Sequence, residues 1–294
     1  MIPNIVIDAP AKINLFLGVS TKRDSRGYHL VDSIMAAVDL ADIIEIIPAD
    51  EFNITCIPQV DFPAKSNTVW TAVEAMEKAF NKKAEFQVII HKNIPFKAGL
   101  GGASADAAAI ILATAKLWGV ESQTDKLQEI ASSIGADTPF FLYGKPMHLT
   151  GAGDIPHEQF PDLIDCPVCL IRPYGDGITA ERAYKEFDAN PGRPVDIKPM
   201  VEALRASDIS QVAAHVTNHL DPVAQRIMPN LSEILAWMDG QPGVMSSMVT
   251  GSGSCMYAIC NSQKSASALA RKAEDKGLWS WAGLIRNFGP QFKD

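Results

Sequence analysis

An α+β fold in two domains is predicted for this chain by three observations. Strand-like and helix-like runs are mixed without the regular β–α–β alternation of a doubly wound sheet. A stretch from Pro156 to Pro167, with three prolines and several acidic residues, breaks the chain near its middle. The length, 294 residues, favours two hydrophobic cores over one. The expected division is residues 1–160 and 161–294.

Taken in order, Asn4 to Val19 carries enough apolar alternation for a strand, interrupted at Ala9-Pro10-Ala11-Lys12, and polar residues from Thr21 to Gly27 end it. Ile34 to Ala37, Ile43 to Pro48 and Asn53 to Ile57 read as three further strands. Asn67-Thr68 opens a helix through Phe80, with Val69, Ala72, Val73, Met76 and Phe80 at helical spacing. Phe86 to His91 is a strand that leads into a glycine-rich turn, Pro95-Phe96-Lys97-Ala98-Gly99-Leu100-Gly101-Gly102-Ala103-Ser104. An alanine-rich helix follows and stops at Trp118-Gly119, glycine being favoured just past a helix end. Thr124 to Ile134 is another helix, stopped by Gly135. Beyond the break, Val168 to Arg172 reads as a strand and Thr179 to Phe187 as a helix, followed by a loop from Asn190 to Pro199. Helices are expected over Lys198 to Leu204, Ile209 to Val216 and Asn230 to Met238. Met245 to Thr250 and Cys255 to Cys260 form strands around Gly251-Ser252-Gly253-Ser254, then come a helix from Lys264 to Lys276 and a last strand from Trp281 to Asn287.

The glycine turn is the first segment that carries chemistry. Its glycines allow positive φ and close backbone approach to a ligand. The helix behind it presents unpaired N–H groups and the positive end of its dipole, which suits a phosphate chain. Ser104 is placed to cap that helix, or to offer its hydroxyl to a phosphate or to Mg²⁺. A tight turn into a capped helix accounts equally well for the segment alone. It is neither a Walker A loop nor a dinucleotide fingerprint.

Composition narrows the classes further. With 47% hydrophobic and 20% charged residues the chain is an ordinary folded protein. Its 26 basic against 34 acidic residues, net −8, argue against a nucleic-acid partner bound by broad phosphate neutralisation, but leave room for a basic nucleotide pocket. No apolar run approaches a membrane span and the N-terminus lacks signal-peptide character, so a cytoplasmic address without membrane partners is expected. Cys166-Pro-Val-Cys169 has redox or zinc spacing, but no second pair completes a site, and the segment reads as a buried strand.

Four segments in order resemble the GHMP kinases, the superfamily of galactokinase, homoserine kinase and mevalonate kinase. Ala9-Pro10-Ala11-Lys12-Ile13-Asn14-Leu15 is similar to its opening motif, the glycine turn to its ATP-binding motif Pro-x-x-x-Gly-Leu-Gly-Gly-x-Ser, and Thr250 to Cys255 to its third motif. Arg26-Gly27-Tyr28-His29-Leu30 and Gly135-Ala136-Asp137-Thr138-Pro139-Phe140-Phe141 resemble, more narrowly, the 4-diphosphocytidyl-2-C-methyl-D-erythritol kinases, as do Asn67-Thr68-Val69 and Asn218-His219-Leu220-Asp221. The resemblance implies a ribosomal-protein-S5-like N-terminal domain, a ferredoxin-like C-terminal domain and a site in the cleft between them. It implies ATP with Mg²⁺ as donor and a cytidine-bearing alcohol, phosphorylated on its 2-hydroxyl in non-mevalonate isoprenoid synthesis, as acceptor. The protein would be a monomer or weak homodimer.

Carried over residue by residue, Asp137 is the expected general base and Lys12 the cation beside it. A lone carboxylate in an apolar stretch suits base work, though a turn residue ahead of Pro139 reads the same way. Lys12 sits in an apolar strand where a charge needs a partner, or else faces solvent on an edge. Asn67, Lys92, Pro95, Ala98, Gly99, Leu100, Gly101, Gly102, Ala103 and Ser104 are the expected ATP contacts, and Asn14, Tyr28, His29 and Thr179 the acceptor contacts. Tyr28 would stack on cytosine while His29 reads its polar edge. Three departures stand out. Lys97 occupies a position usually held by glycine, and Ala103 and Ala105 replace residues that are often glycine and serine. The aromatic expected four residues after Thr179 is Ala183, with Tyr184 one place later, a rotation of about 100° on a helix.

Overall fold

The computed structural model describes residues 4–59 and 63–293. Met1 and Asp294, the outer ends of the two expected domains, lie outside the described residues. The frame is a long antiparallel hairpin of β1 (Ile5–Arg23) and β2 (His29–Pro48). Asp24 shapes its turn by accepting the backbone N–H groups of Arg26 and Tyr28. The pairing shifts register between Pro10 and Lys12 and again between Asn14 and Phe16. These irregularities bracket Lys12 and Asn14, at positions where a bulge re-aims side chains. The two strands expected at Ile34 to Ala37 and Ile43 to Pro48 are therefore one. Asp39 and Asp42 interrupt the apolar pattern, yet each is satisfied within the sheet, Asp39 by Leu284 N–H and Asp42 by the N–H groups of Asn93 and Ile94.

β3 (Asn53–Ile57) lies parallel to β4 (Phe86–His91), and β4 pairs with the end of β2. Helix α1 (Thr68–Phe80) is capped by Asn67, whose side chain accepts from Val69 N–H. Helix α2 (Gly102–Trp118) is buried from Ala105 to Ile111 on every side. That explains its alanines: a helix enclosed all round needs small residues where neighbours crowd it and loses the one-sided apolar stripe. Helix α3 (Thr124–Ile134) and the short α4 (Thr138–Tyr143) complete a helical layer over β1, β2 and β4. β5 (Met147–Thr150) pairs with β2 and with β6 (Ile155–Gln159), a strand overlapping the stretch whose prolines and acidic residues predict irregular chain. β6 is exposed along most of its length and so shows no buried face in its pattern.

The second half turns β7 (Pro167–Arg172) into the centre of an antiparallel sheet. Helices α5 (Ala180–Ala189), α6 (Lys198–Arg205) and α7 (Ile209–Ala214), strand β8 (Thr217–Asn218), and helices α8 (Asp221–Ile227) and α9 (Asn230–Asp239) follow. The chain closes with β9 (Val244–Val249), β10 (Met256–Cys260), α10 (Gln263–Asp275), β11 (Trp279–Arg286) and β12 (Phe292–Lys293). The main path of the sheet is β12-β1-β2-β11-β7-β10-β9. β11 joins its halves, pairing Ile285 and Arg286 with β2 and Trp279 to Leu284 with β7. β8 lies parallel to β1, so residues 217–218 also bind the first strand. Cys166 and Cys169 are buried, unbridged and packed into different apolar clusters, as the strand reading expected. Burial, with Cys260 nearby, pushes the Cys166 thiol up to about 12.

Candidate active site

Lys12 and Asp137, 125 positions apart in sequence, meet in space: Lys12 Nζ lies 3.4 Å from Asp137 Oδ2. The lysine side chain is 5% exposed and the aspartate 35%, so the ammonium is enclosed while the carboxylate opens to a cavity. Lys12 Nζ also donates to Asn14 Oδ1 at 2.7 Å. Asn14 is held in turn by its Nδ2 donating to Ser33 Oγ, by its N–H donating to Thr250 Oγ1, and by Tyr257 Oη donating to its carbonyl. Asp137 stands at the N-cap position of α4, yet its side chain makes no capping bond, so the carboxylate is not consumed by the helix.

The glycine turn wraps this pair. Gly99 and Gly101 take φ of +77° and +72°, which residues with a Cβ rarely adopt. A Cβ on Gly99 would stand 2.2 Å from the Thr250 carbonyl oxygen, and one on Gly101 would stand 2.9 Å from Phe141 Cζ and 3.0 Å from Lys12 Cγ. Lys12 N–H donates to the Leu100 carbonyl, and Cys255 N–H to that of Ala98. The two glycine turns, 155 residues apart by the numbering of Gly99 and Ser254, thus clasp each other above β1. Ser104 does not cap α2: the helix starts at Gly102 with Gly101 as its N-cap, and Ser104 sits inside the first turn with a hydroxyl that bonds to no protein group among the described residues.

Two adjoining cavities share Gly99, Gly101 and Ser104. The smaller, about 350 Å³, is lined by every residue expected to touch ATP: Asn67, Lys92, Pro95, and Ala98 through Ser104. Lys92 enters its wall with the charge already spent, since its ammonium is bound to Asp42 and Asp106. Burial works against that charge, but Asp106 and Asp42 outweigh it and hold the lysine above its ordinary range. Burial raises Asp106, against the pull of Lys92 and with a push from Asp42. Neither aspartate stood out in the sequence. The signal was there in Asp106, the one acid in an alanine-rich helix.

The larger cavity, about 730 Å³, takes in Lys12, Asn14, Asp137, Tyr28 and His29. His29 is buried; its Nδ1–H donates to the Ser20 carbonyl at 2.6 Å, and Nε2 lies 3.1 Å from Asp188 Oδ1. Tyr28 is 60% exposed on the rim. Thr179 is the one expected contact that does not line this cavity. It is exposed, and its hydroxyl accepts from Arg182 N–H as the cap of α5. Tyr184 takes a place in the wall despite its shifted position, stacked on His29 with centroids 5.2 Å apart and planes 16° from parallel. The helix phase decides this, because Ala183 and Phe187 pack into the core and so turn Tyr184 toward His29. Burial, and then the nearby Asp137, push the Tyr184 hydroxyl up to about 12.

Comparison with known proteins agrees with this architecture. The GHMP kinases N terminal domain matches residues 67–145, and the GHMP kinases C terminal family matches residues 200–277. The chain belongs to the GHMP kinase family and is an ATP-dependent small-molecule kinase. Among its relatives is the 4-diphosphocytidyl-2-C-methyl-D-erythritol kinase of Caldanaerobacter subterraneus subsp. tengcongensis, 32% identical over 95% of this chain and 96% of that protein. The enzyme of the same name from Geobacter sp. strain M21 is 33% identical over 95% and 97%. A crystal structure of 4-(cytidine 5'-diphospho)-2C-methyl-D-erythritol kinase superposes with a TM-score of 0.77 at 27% identity, covering 95% of this chain and 98% of that one. A homoserine kinase from Cytophaga hutchinsonii reaches the same TM-score at 17% identity, covering 99% and 97%, and speaks for the fold alone.

Proposed function

We propose that this chain transfers the γ-phosphoryl group of ATP to the 2-hydroxyl of 4-diphosphocytidyl-2-C-methyl-D-erythritol, a step of non-mevalonate isoprenoid synthesis. The observation that carries the reading is the Lys12–Asp137 pair where the two cavities meet, with His29 and Tyr184 in the wall of the larger one. Phosphoryl transfer needs the donor held in line, its charge compensated and the acceptor hydroxyl relieved of a proton. The turn from Gly99 to Ser104 holds the phosphates through backbone N–H groups. Asp137 accepts the proton of the acceptor hydroxyl, and Lys12 compensates the charge on both. Asn14 fixes the direction of Lys12. Tyr28 and Tyr184 enclose the cytosine, and His29 Nε2 meets its polar edge.

Mg²⁺ would neutralise charge on the ATP phosphates. The described residues form no group of three His, Cys, Asp or Glu that could hold a metal by itself. A cation carried mainly by phosphate and water suits this donor set, with the Ser104 hydroxyl as its protein ligand. In this reading residues 1–160 supply the nucleotide-binding unit and 161–294 supply α5 and the third glycine turn. No helix among the described residues is long and apolar enough to cross a membrane.

The test is ADP release by the purified chain with ATP and, in parallel, the cytidine alcohol, homoserine or mevalonate. Turnover with the cytidine alcohol alone is expected. Turnover only with another alcohol would keep the kinase and overturn the acceptor, and ATP binding without turnover on any alcohol would point to a silent nucleotide binder.

A further inference from the structure

We propose that Lys97 is a positioning residue for the triphosphate, supplying the positive charge that the glycine turn lacks. The proposal rests on the kinase reading above and deepens its nucleotide site. Lys97 immediately precedes Ala98 and Gly99 and takes φ +50°, a left-handed conformation that costs any residue with a Cβ conformational energy and glycine none. The neighbouring chain holds it there. A Cβ added at Gly177 would stand 1.7 Å from the Lys97 carbonyl oxygen and 2.9 Å from Lys97 Cβ. Arg172 Nη1 donates to the carbonyl of the preceding Phe96 at 3.0 Å. Among the described residues the Lys97 side chain makes no ion pair or hydrogen bond that would offset the strain. A strained residue without internal compensation points to a ligand.

The charges around the smaller cavity say which ligand. Its charged lining residues are Lys92, Lys97 and Asp106. Lys92 is bound between Asp42 and Asp106, and Lys12 across the turn is engaged by Asn14 and Asp137. Lys97 alone among these lysines carries a charge not matched by a protein carboxylate among the described residues. Backbone N–H groups orient a phosphate chain, but a polyanion also needs cations close by. An exposed lysine at the mouth of the turn meets the need without rebuilding the buried network.

The experiment is isothermal titration of ATP, ADP and AMP into the full chain and its Lys97→Gln, Lys97→Gly and Lys97→Arg variants, with thermal melting of each. Lys97→Gln is expected to weaken ATP roughly tenfold and AMP little, and Lys97→Arg to recover most of the loss. Lys97→Gly should melt at or above the wild-type temperature, since it relieves the strained φ, while binding ATP as poorly as Lys97→Gln. A merely structural lysine would give the opposite split, with lower stability and unchanged preference for ATP over AMP. If the variants bind ATP as the wild type does, the role of Lys97 is overturned and the kinase reading stands. If the wild type itself binds no ATP, both fall.

Discussion

In the proposed mechanism the carboxylate of Asp137 and the ammonium of Lys12, 3.4 Å apart, divide the labour of moving one proton and one phosphoryl group. Asp137→Asn keeps the shape and removes the base, so turnover should fall about 10²- to 10⁴-fold with ATP affinity nearly unchanged. Steady-state kinetics alongside ATP titration checks this, and a mutant with near-normal turnover would reduce Asp137 to the turn residue before Pro139. Around the proposed cytosine pocket the two tyrosines are unequal. Tyr184 is half-buried and stacked on His29, whereas Tyr28 stands exposed on the rim. Tyr184→Ala should weaken acceptor binding by about 1–3 kcal/mol, the worth of a base–aromatic stack, and Tyr28→Ala by no more. Titration with the cytidine alcohol decides it; equal binding by both mutants and wild type would remove the cytidine assignment and leave the kinase.

Between elements, the site depends on how turns are pinned to one another. Arg172, at the end of β7, is buried and donates to the carbonyls of Phe96, Pro173 and Gly175. One guanidinium therefore ties the start of the glycine turn to the loop that leads into α5 and Tyr184. Arg172→Met should strand those carbonyls, lowering stability by about 1–3 kcal/mol and raising the KM for both ATP and acceptor. A change in stability with both KM values untouched would confine Arg172 to folding. The glycine contact is less forgiving. Gly99→Ala would drive its Cβ to 2.2 Å from the Thr250 carbonyl, so the clasp between the two glycine turns must open. ATP binding should be lost even where the protein still folds, which circular dichroism and titration together would show.

Across the whole chain, Asp8 holds the two ends together. It pairs in a fork with Arg286 Nη1 and Nη2, meets Lys293 at 2.9 Å and accepts the N–H of Gln291. Burial by itself would raise the Asp8 carboxyl, but Arg286, Lys293 and the Gln291 N–H more than reverse this and hold it below the ordinary carboxylate range. Because the folded value lies below the unfolded one of about 4, the stabilisation is present above pH 4 and disappears as pH falls through the folded value. Asp8→Asn leaves Arg286 buried with its charge unmatched by Asp8, so it should cost about 3–5 kcal/mol near neutrality and flatten the acid limb of a melting-temperature curve below roughly pH 4. A mutant as stable as wild type at pH 7 would contradict this.

What the sequence by itself determined is local: the strand before the glycine turn, the helix capped by Asn67, the helix stopped by Gly119, and the order of motifs that places Lys12, Asp137 and the turn in one family. The strand and the two helix limits rest on neighbours within a few positions, where backbone preference and side-chain spacing act directly, and the motif order rests on resemblance along the chain. The rest came from contacts that no spacing encodes. The two short strands read from Ile34 to Pro48 became one because Asp39 and Asp42 find partners far along the chain. The Lys92–Asp42–Asp106 cluster joins a loop, a strand and a helix. Tyr184 enters the cavity because Ala183 and Phe187 are drawn into the core, and Thr179 stays out because its hydroxyl completes a helix end. Burial and hydrogen-bond satisfaction are properties of the assembled chain, and they decided which of the legible residues face the cavities.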